Sequence, residues 1–162
     1  MSAEATVRDY YEALRRGDPL PPYFAGTGGE PDGGTGEDAG GRESGAPVVK
    51  YGIGERLVGY AEVAAGLREQ TRTTADWTVE SAALRVTERA EHAWFSDEVR
   101  MAWTDLDADR ERTFETRWSG TLERRDGAWR FVGMHVSTPR RIGADGERDT
   151  TRATGRDDPG RA

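Results

Sequence analysis

The dipeptide Asp126-Gly127 lies between two long runs that alternate apolar and polar residues, Arg110–Glu123 and Ala128–Val136, and it constrains the fold more than any other pair in the chain. A two-residue type I′ hairpin needs positive φ at both central positions, and Asp-Gly supplies it at low cost. Arg125 then faces Ala128. An unbroken ladder from that turn sets Leu122 against Phe131, Gly120 against Gly133, Trp118 against His135 and Thr116 against Ser137. A second hairpin through Thr104–Asp109, centred between Leu106 and Asp107, brings Phe95 beside Trp118 and Asp97 beside Thr116.

Upstream, the period of the apolar pattern is helical. Val7, Tyr10, Tyr11 and Leu14 follow i, i+3, i+4, i+7 spacing, with Ser2 as N-cap and Gly17-Asp18-Pro19 as the stop. Tyr60, Val63, Ala64 and Leu67 repeat that spacing between Gly59 and Gln70, and Val48–Ile53 reads as a short strand between the helices. After Thr74 the period becomes 2, with a phase change near Ser81–Ala83 that marks a bulge. Helices first and antiparallel strands afterwards predict an α+β domain.

Sorting the strands by face puts Phe95, Val99, Met101, Trp103, Phe114, Trp118, Leu122, Trp129 and Phe131 on one side, the core. Asp97, Thr116, His135 and Ser137 form a polar minority on that same side, near one end of the sheet. Asp97 and His135 are then roughly 10–12 Å apart from strand spacing and rise, close enough for a ligand to bridge. The facing glycines, Gly120 and Gly133, allow either a sharp bend or floor space for a ligand. On the outer side, Trp94, Val132, Met134 and Val136 interrupt the charges, a pattern that predicts a homodimer through this face.

Composition narrows the classes of function. The chain has 162 residues with 23 Lys+Arg against 30 Asp+Glu, a formal charge of −7, which argues against nucleic-acid binding. Lys50 is the single lysine; every other basic residue is arginine, a usage that fits either a high-salt cytoplasm or nucleotide bias. There is no cysteine, and the two histidines, His92 and His135, are expected on opposite faces, so no metal or other cofactor is expected. A Ser137-His135-Asp97 triad lacks a Gly-x-Ser-x-Gly elbow. No apolar run spans a bilayer and Met1–Leu20 has no signal-peptide core, so the expectation is a cytoplasmic protein without membrane contact. Ala25–Ala46 holds nine glycines, five acidic residues and no large apolar side chain, and is read as a disordered insertion with no Gly-Lys-Ser/Thr phosphate loop. One domain over residues 1–138, that insertion at 25–46 and a disordered tail at 139–162 complete the expected organisation.

The runs VRDYYEALRRGD, VGYAEVAAGL and RRDGAWRFVGMHVS carry a family resemblance. They resemble the SnoaL-like branch of the nuclear transport factor 2-like superfamily, and the last is also similar to the association domain of calcium/calmodulin-dependent kinase. The resemblance implies a cone-shaped fold in which a strongly curved, mainly antiparallel sheet wraps N-terminal helices around an internal pocket, and a dimer formed through the outer face. In ketosteroid isomerases of this superfamily the position of Tyr10 carries an oxyanion-stabilising tyrosine. The aspartate base is replaced here by Tyr51, and the protonated aspartic acid by Thr121 or a neighbour. SnoaL-type cyclases use an Asp/His pair, which Asp97 and His135 could imitate.

Two readings follow. As a binding module, the domain dimerises and holds a small, mostly apolar molecule among Tyr10, Tyr51, Phe95, Thr116, Trp118 and Trp129, with no assigned catalysis. As an enzyme, it is an isomerase, cyclase or dehydratase with Asp97 and His135 as the acid–base pair.

Overall fold

The computed structural model describes residues 1–26 and 47–139. Helix α1 (Ala3–Arg16) starts where the Ser2 side chain accepts the Ala5 amide and stops at Gly17, whose left-handed backbone (φ 70°) lets Gly17 and Asp18 donate to the carbonyls of Leu14 and Ala13. It buries Val7, Tyr10, Tyr11 and Leu14, the predicted stripe. A single 3₁₀ turn (Pro21–Tyr23) leads to Phe24 and Ala25, whose amide donates to the Phe131 carbonyl at 2.9 Å. The expected insertion thus begins with a buried residue, Ala25, and from residue 27 to 46 lies outside the described residues, as does the expected tail from residue 140 on.

The strand expected over Val48–Ile53 is one arm of a hairpin, β1 (Val49–Gly52) and β2 (Glu55–Val58), turning at Gly54 with φ 77°. Helix α2 (Tyr60–Thr73) buries Val63, Ala64 and Leu67. The strands β3 (Thr74–Ser81), β4 (Arg85–Glu88), β5 (His92–Asp105), β6 (Arg110–Arg125) and β7 (Ala128–Ser137) complete one seven-stranded sheet.

This sheet corrects the expected architecture. Its order is β2-β1-β7-β6-β5-β3, with β4 also on β5, so it is open: β2 and β3 are separate edges. It is also mixed, because β1 runs parallel to β7. Bulges are what bend a ladder sharply, and β5 pairs with β6 without one along all 14 of its residues. Over the described residues the fold is α+β, with two α-helices on an open, mixed, mostly antiparallel sheet, not a cone built on a strongly curved one.

Registers also differ from the sequence reading. Asp126 (φ 50°) and Gly127 (φ 77°) form the predicted tight turn, and Arg125–Ala128 and Leu122–Phe131 pair as expected. Beyond them Val132 is an extra residue, so Thr121 pairs with Gly133, Gly120 with Met134, Ser119 with His135, Trp118 with Val136 and Arg117 with Ser137. One inserted residue turns every later side chain of β7 over. Met134 and Val136 therefore enter the core, at 3% and 5% exposure, and His135 faces solvent. The β5–β6 turn takes four residues, Leu106–Asp109, which places Asp97 beside Trp118, Phe95 beside Gly120 and Val99 beside Thr116. That offset is two residues, so the faces of β5 and β6 are kept.

The expected bulge near Ser81–Ala83 is a full break between β3 and β4, both of which pair with β5. The ladder slip within β3 lies instead between Ala75 and Thr78, around Asp76 at φ 54°. Between sheet and helices lies an aromatic core in which Tyr10 meets Tyr23, Phe24, Trp118 and Phe131 edge to face, with ring centroids 5.3–6.3 Å apart. Each large side chain so buried contributes roughly 1.5–3 kcal/mol, which is why two short helices suffice to cover the inner face.

Candidate functional site

A cavity of about 320 Å³ opens between α1, the β1–β2 hairpin and the inner face of β3, β5 and β6. Its aromatic wall is a stack that runs across the sheet: Trp77 on β3 lies against Trp103 on β5 (4.7 Å, 17° between planes), and Trp103 against Phe114 on β6 (5.3 Å, 24°). Tyr10, Leu14, Ile53, Met101, Trp118 and Val136 line the rest of its apolar surface.

Lys50 is the polar centre of this cavity. Strand β1 turns Lys50 inward, pairs it with Met134 and Leu57, and leaves it 5% exposed. Its Nζ donates to Glu55 Oε1, across the tip of the β1–β2 hairpin. Gly52 adjoins the pair: a Cβ there would lie 2.5 Å from Glu55 Oε1, so any larger residue would make the carboxylate shift. The Tyr10 hydroxyl is held well above its ordinary range, by burial first and then by the negative charge of Glu55, and it stays protonated at neutral pH. At another part of the wall Arg112 pairs with Asp105 at 3.2 Å.

Of the residues expected to form a site, Tyr10 and Trp118 line this cavity. Thr116 is buried, and its hydroxyl is engaged twice, donating to the Val99 carbonyl (2.6 Å) and accepting from Trp118 Nε1 (2.8 Å). Phe95 packs on Phe131 and fills the space over Gly120, where a Cβ would come 2.7 Å from its ring and 2.5 Å from the Gly133 carbonyl oxygen. The glycine is needed for this close packing rather than for a ligand. Trp129 is buried at the Asp126-Gly127 end of the sheet, under the Arg124 guanidinium. Tyr51 faces outward, 40% exposed, with its ring 5.8 Å from that of His135.

Asp97 and His135 are on opposite faces. Asp97 points into the core at 3% exposure, where Oδ2 accepts the Tyr11 hydroxyl at 3.1 Å and Oδ1 accepts the Ala83 amide at 3.0 Å. It thereby ties α1 to the break between β3 and β4. Burial, and next the Asp97 charge, push the Tyr11 hydroxyl well above its ordinary range. His135 lies in a groove with Arg85, Ser96, Arg117 and Ser119, and Asp97 lines the same groove from the inward row beside the break between β3 and β4. His92 shares the outer face with His135, contrary to the expected parity, but its row is four residues from that of His135 along the strands, roughly 13 Å. Among the described residues no three or more His, Asp or Glu side chains gather as metal ligands, and no helix is long and apolar enough to cross a membrane. The outer apolar patch loses Met134 and Val136 to the core, and Trp94, 44% exposed, is what remains of it in full view.

The sequence reading missed Lys50, Glu55, Trp77, Trp103 and Phe114 as site residues. One signal for the first was available: in a chain that uses arginine at every other basic position, a single lysine stands out.

Solved structures share this architecture. A candidate dehydratase of the nuclear transport factor 2-like family from Streptomyces avermitilis superposes with a TM-score of 0.65 at 19% identity, over 85% of this chain and 94% of that one. A candidate scytalone dehydratase from Novosphingobium aromaticivorans gives 0.64 at 15% identity, over 86% and 83%. A candidate calcium/calmodulin-dependent kinase association domain from Thiobacillus denitrificans gives 0.58 at 19%, over 86% and 96%. No curated protein matches the chain in sequence. The family model of the SnoaL-like domain matches residues 44–141, from just before β1 through the whole strand-rich region that builds the cavity and its aromatic wall. With more than half of its length matched, the chain belongs to the SnoaL-like domain family.

Proposed function

We propose that this domain binds a small, flat, uncharged molecule in the cavity between α1 and the sheet, with its rings against Trp77, Trp103 and Phe114 and a carbonyl or hydroxyl group at Lys50 and Glu55. The observation that carries this reading is the Lys50–Glu55 pair in the same cavity as the aromatic stack of Trp77, Trp103 and Phe114. Pockets of this kind take most of their affinity from apolar contact and their orientation from a few polar groups. The four charged residues lining the cavity form two pairs, Lys50 with Glu55 and Arg112 with Asp105. A ligand with a net charge would have to break one of them, whereas a neutral group can accept from Lys50 and Tyr10 and donate to Glu55.

Calorimetric titration with 2-acetylnaphthalene tests the reading. Saturable binding that weakens about tenfold in Trp103→Ala, from loss of stacking and apolar contact, is the expected result. The absence of saturable heat from the native protein overturns it.

For an acid–base role of Asp97 with His135, both residues line one groove, but Asp97 is 3% exposed and both of its oxygens are already engaged, by the Tyr11 hydroxyl and the Ala83 amide. Association of two copies through the outer face has Trp94 as its apolar support, and light scattering at moderate salt decides it, a monomer removing that part of the reading.

A further inference from the structure

Lysine and arginine are interchangeable as surface charges but not as reagents. A guanidinium does not give up its proton in a protein, whereas a lysine ammonium can lose one, and the neutral amine then attacks a carbonyl carbon. This chain places arginine at 22 of its 23 basic positions. The one exception is the residue that is buried, lines the aromatic cavity and has a carboxylate on its Nζ. Gly52, lacking a Cβ, leaves open the space that the Glu55 carboxylate occupies beside Lys50.

We propose that Lys50 is a covalent site, forming a reversible imine with the carbonyl carbon of a neutral aromatic aldehyde or ketone bound in the cavity. The inference rests on the cavity being a ligand site for such molecules, and it adds a bond to that reading.

The step balances within the residues present. Glu55 takes a proton from the Lys50 ammonium, freeing the nitrogen lone pair. That pair attacks the carbonyl carbon as the C=O π electrons move to oxygen, and Glu55 passes the proton it took to that oxygen, giving a carbinolamine. Glu55 then takes a second proton from nitrogen and passes it to the hydroxyl, which leaves as water while the nitrogen lone pair closes the C=N bond; one proton stays on nitrogen, so the product is the protonated imine beside the Glu55 carboxylate. No oxidant or reductant is required, and the reverse sequence releases the carbonyl compound. The Tyr10 hydroxyl, kept protonated by its burial, lines the same cavity and is a donor for the oxygen as charge develops on it.

The full chain is incubated near neutral pH with 2-naphthaldehyde and cyanoborohydride, which reduces an imine to a stable secondary amine. Digestion and mass spectrometry then locate the naphthylmethyl group. The expected result is an adduct on Lys50 that forms at least tenfold faster than on Nα-acetyl-lysine amide in the same tube and is suppressed by 2-acetylnaphthalene. Lys50→Arg, which keeps the charge and a donor for Glu55 but has no amine, should lose the fast-forming adduct. Glu55→Gln should slow trapping by on the order of 100-fold, as removal of a general base does. If calorimetry shows 2-acetylnaphthalene binding while Lys50 is trapped no faster than the free amine, the imine is overturned and the binding site stands. If neither binding nor trapping is seen, both fall. Trapping at the native rate in Glu55→Gln would overturn the carboxylate's part in the step.

Discussion

Asp97 and Lys50 are both charged, both on inward-facing strand positions and almost equally buried, at 3% and 5% exposure, yet they are satisfied in different ways. Asp97 is closed off by groups that cannot easily leave: a backbone amide at the break between two strands and the hydroxyl of a helix-bound tyrosine. Lys50 is held by a single flexible carboxylate and has open volume beside it. The difference separates a charge that holds the fold together from one that is available to a ligand. Burial alone does not make the distinction. Both residues adjoin a cavity, so what matters is whether the partners are fixed in the backbone and core or can move away.

The sharpest break between the two is stability. In Asp97→Ala the Tyr11 hydroxyl and the Ala83 amide lose their acceptor inside the core, at a cost of about 1–3 kcal/mol for each unsatisfied group. The expected total is on the order of 3 kcal/mol, read as a fall in thermal midpoint of roughly 10 °C for a domain of this size. A midpoint within 2 °C of the native value would show that Asp97 does not anchor α1 to the sheet.

Alkaline pH acts on both regions through their tyrosines. Tyr11, beside Asp97, and Tyr10, beside Glu55, have hydroxyls held above the ordinary value near 10, mainly by burial. The sign follows from proton counting: above pH 10 the unfolded chain has released these protons and the folded chain has not. The unfolded state therefore binds fewer protons, and stability falls as pH rises, by about 1.4 kcal/mol per pH unit for each tyrosine. Below pH 10 the contribution is fully present. Urea unfolding at pH 9, 10 and 11 measures the slope. Tyr23, pushed up to about 12 by burial and its bond to Asp9, adds to the same slope, so Tyr10→Phe should remove roughly a third of it, and an unchanged slope in that variant would place the titration elsewhere.

The Asp97 region was more legible in sequence than the Lys50 region, for physical reasons. Helix α1 advertised itself through Val7, Tyr10, Tyr11 and Leu14, a serine cap and a glycine stop, all local signals, and the Asp-Gly turn fixed one pairing. Asp97 stood out because β5 alternates without interruption, so an acidic residue in the inward row had to be buried. Lys50 was masked by its neighbours: Val49, Tyr51 and Ile53 form the apolar set of their strand, and alternation alone turns them inward. Parallel pairing with β7 reverses that choice and leaves Tyr51 and Ile53 exposed. The Val132 bulge was equally hidden by counting from the turn, although the apolar phase itself changes there, from Trp129 and Phe131 to Met134 and Val136. A shift in phase within one strand is a stronger sign of a bulge than an uninterrupted ladder is of none.

Lys50→Met separates binding from stability. Removing one partner of a buried ion pair is costly when the other is stranded, but the Glu55 side chain is 36% exposed and can turn to water. A methionine also fills the same volume with apolar atoms. The thermal midpoint should move by less than about 3 °C, corresponding to about 1 kcal/mol or less, while the affinity for 2-acetylnaphthalene falls several-fold. A loss of stability as large as that of Asp97→Ala would place Lys50 in the same structural class as Asp97 and remove the contrast.

The smallest effect belongs to His135→Ala. The imidazole is exposed on the outer face, takes part in none of the hydrogen bonds found among the described residues, and is separated from the cavity by the thickness of the sheet. Surface substitutions of this kind change stability by about 0.5 kcal/mol or less, and nothing connects the ring to Lys50. Midpoint, ligand affinity and trapping at Lys50 should all match the native protein. The result matters because Asp97→Ala and His135→Ala would have parallel consequences if the two residues worked as one acid–base pair. A variant that loses ligand binding while remaining folded would return His135 to the site and require a ligand that reaches around the sheet edge. A silent variant, set beside a strongly destabilised Asp97→Ala, leaves the two residues with unrelated roles on the two sides of one sheet.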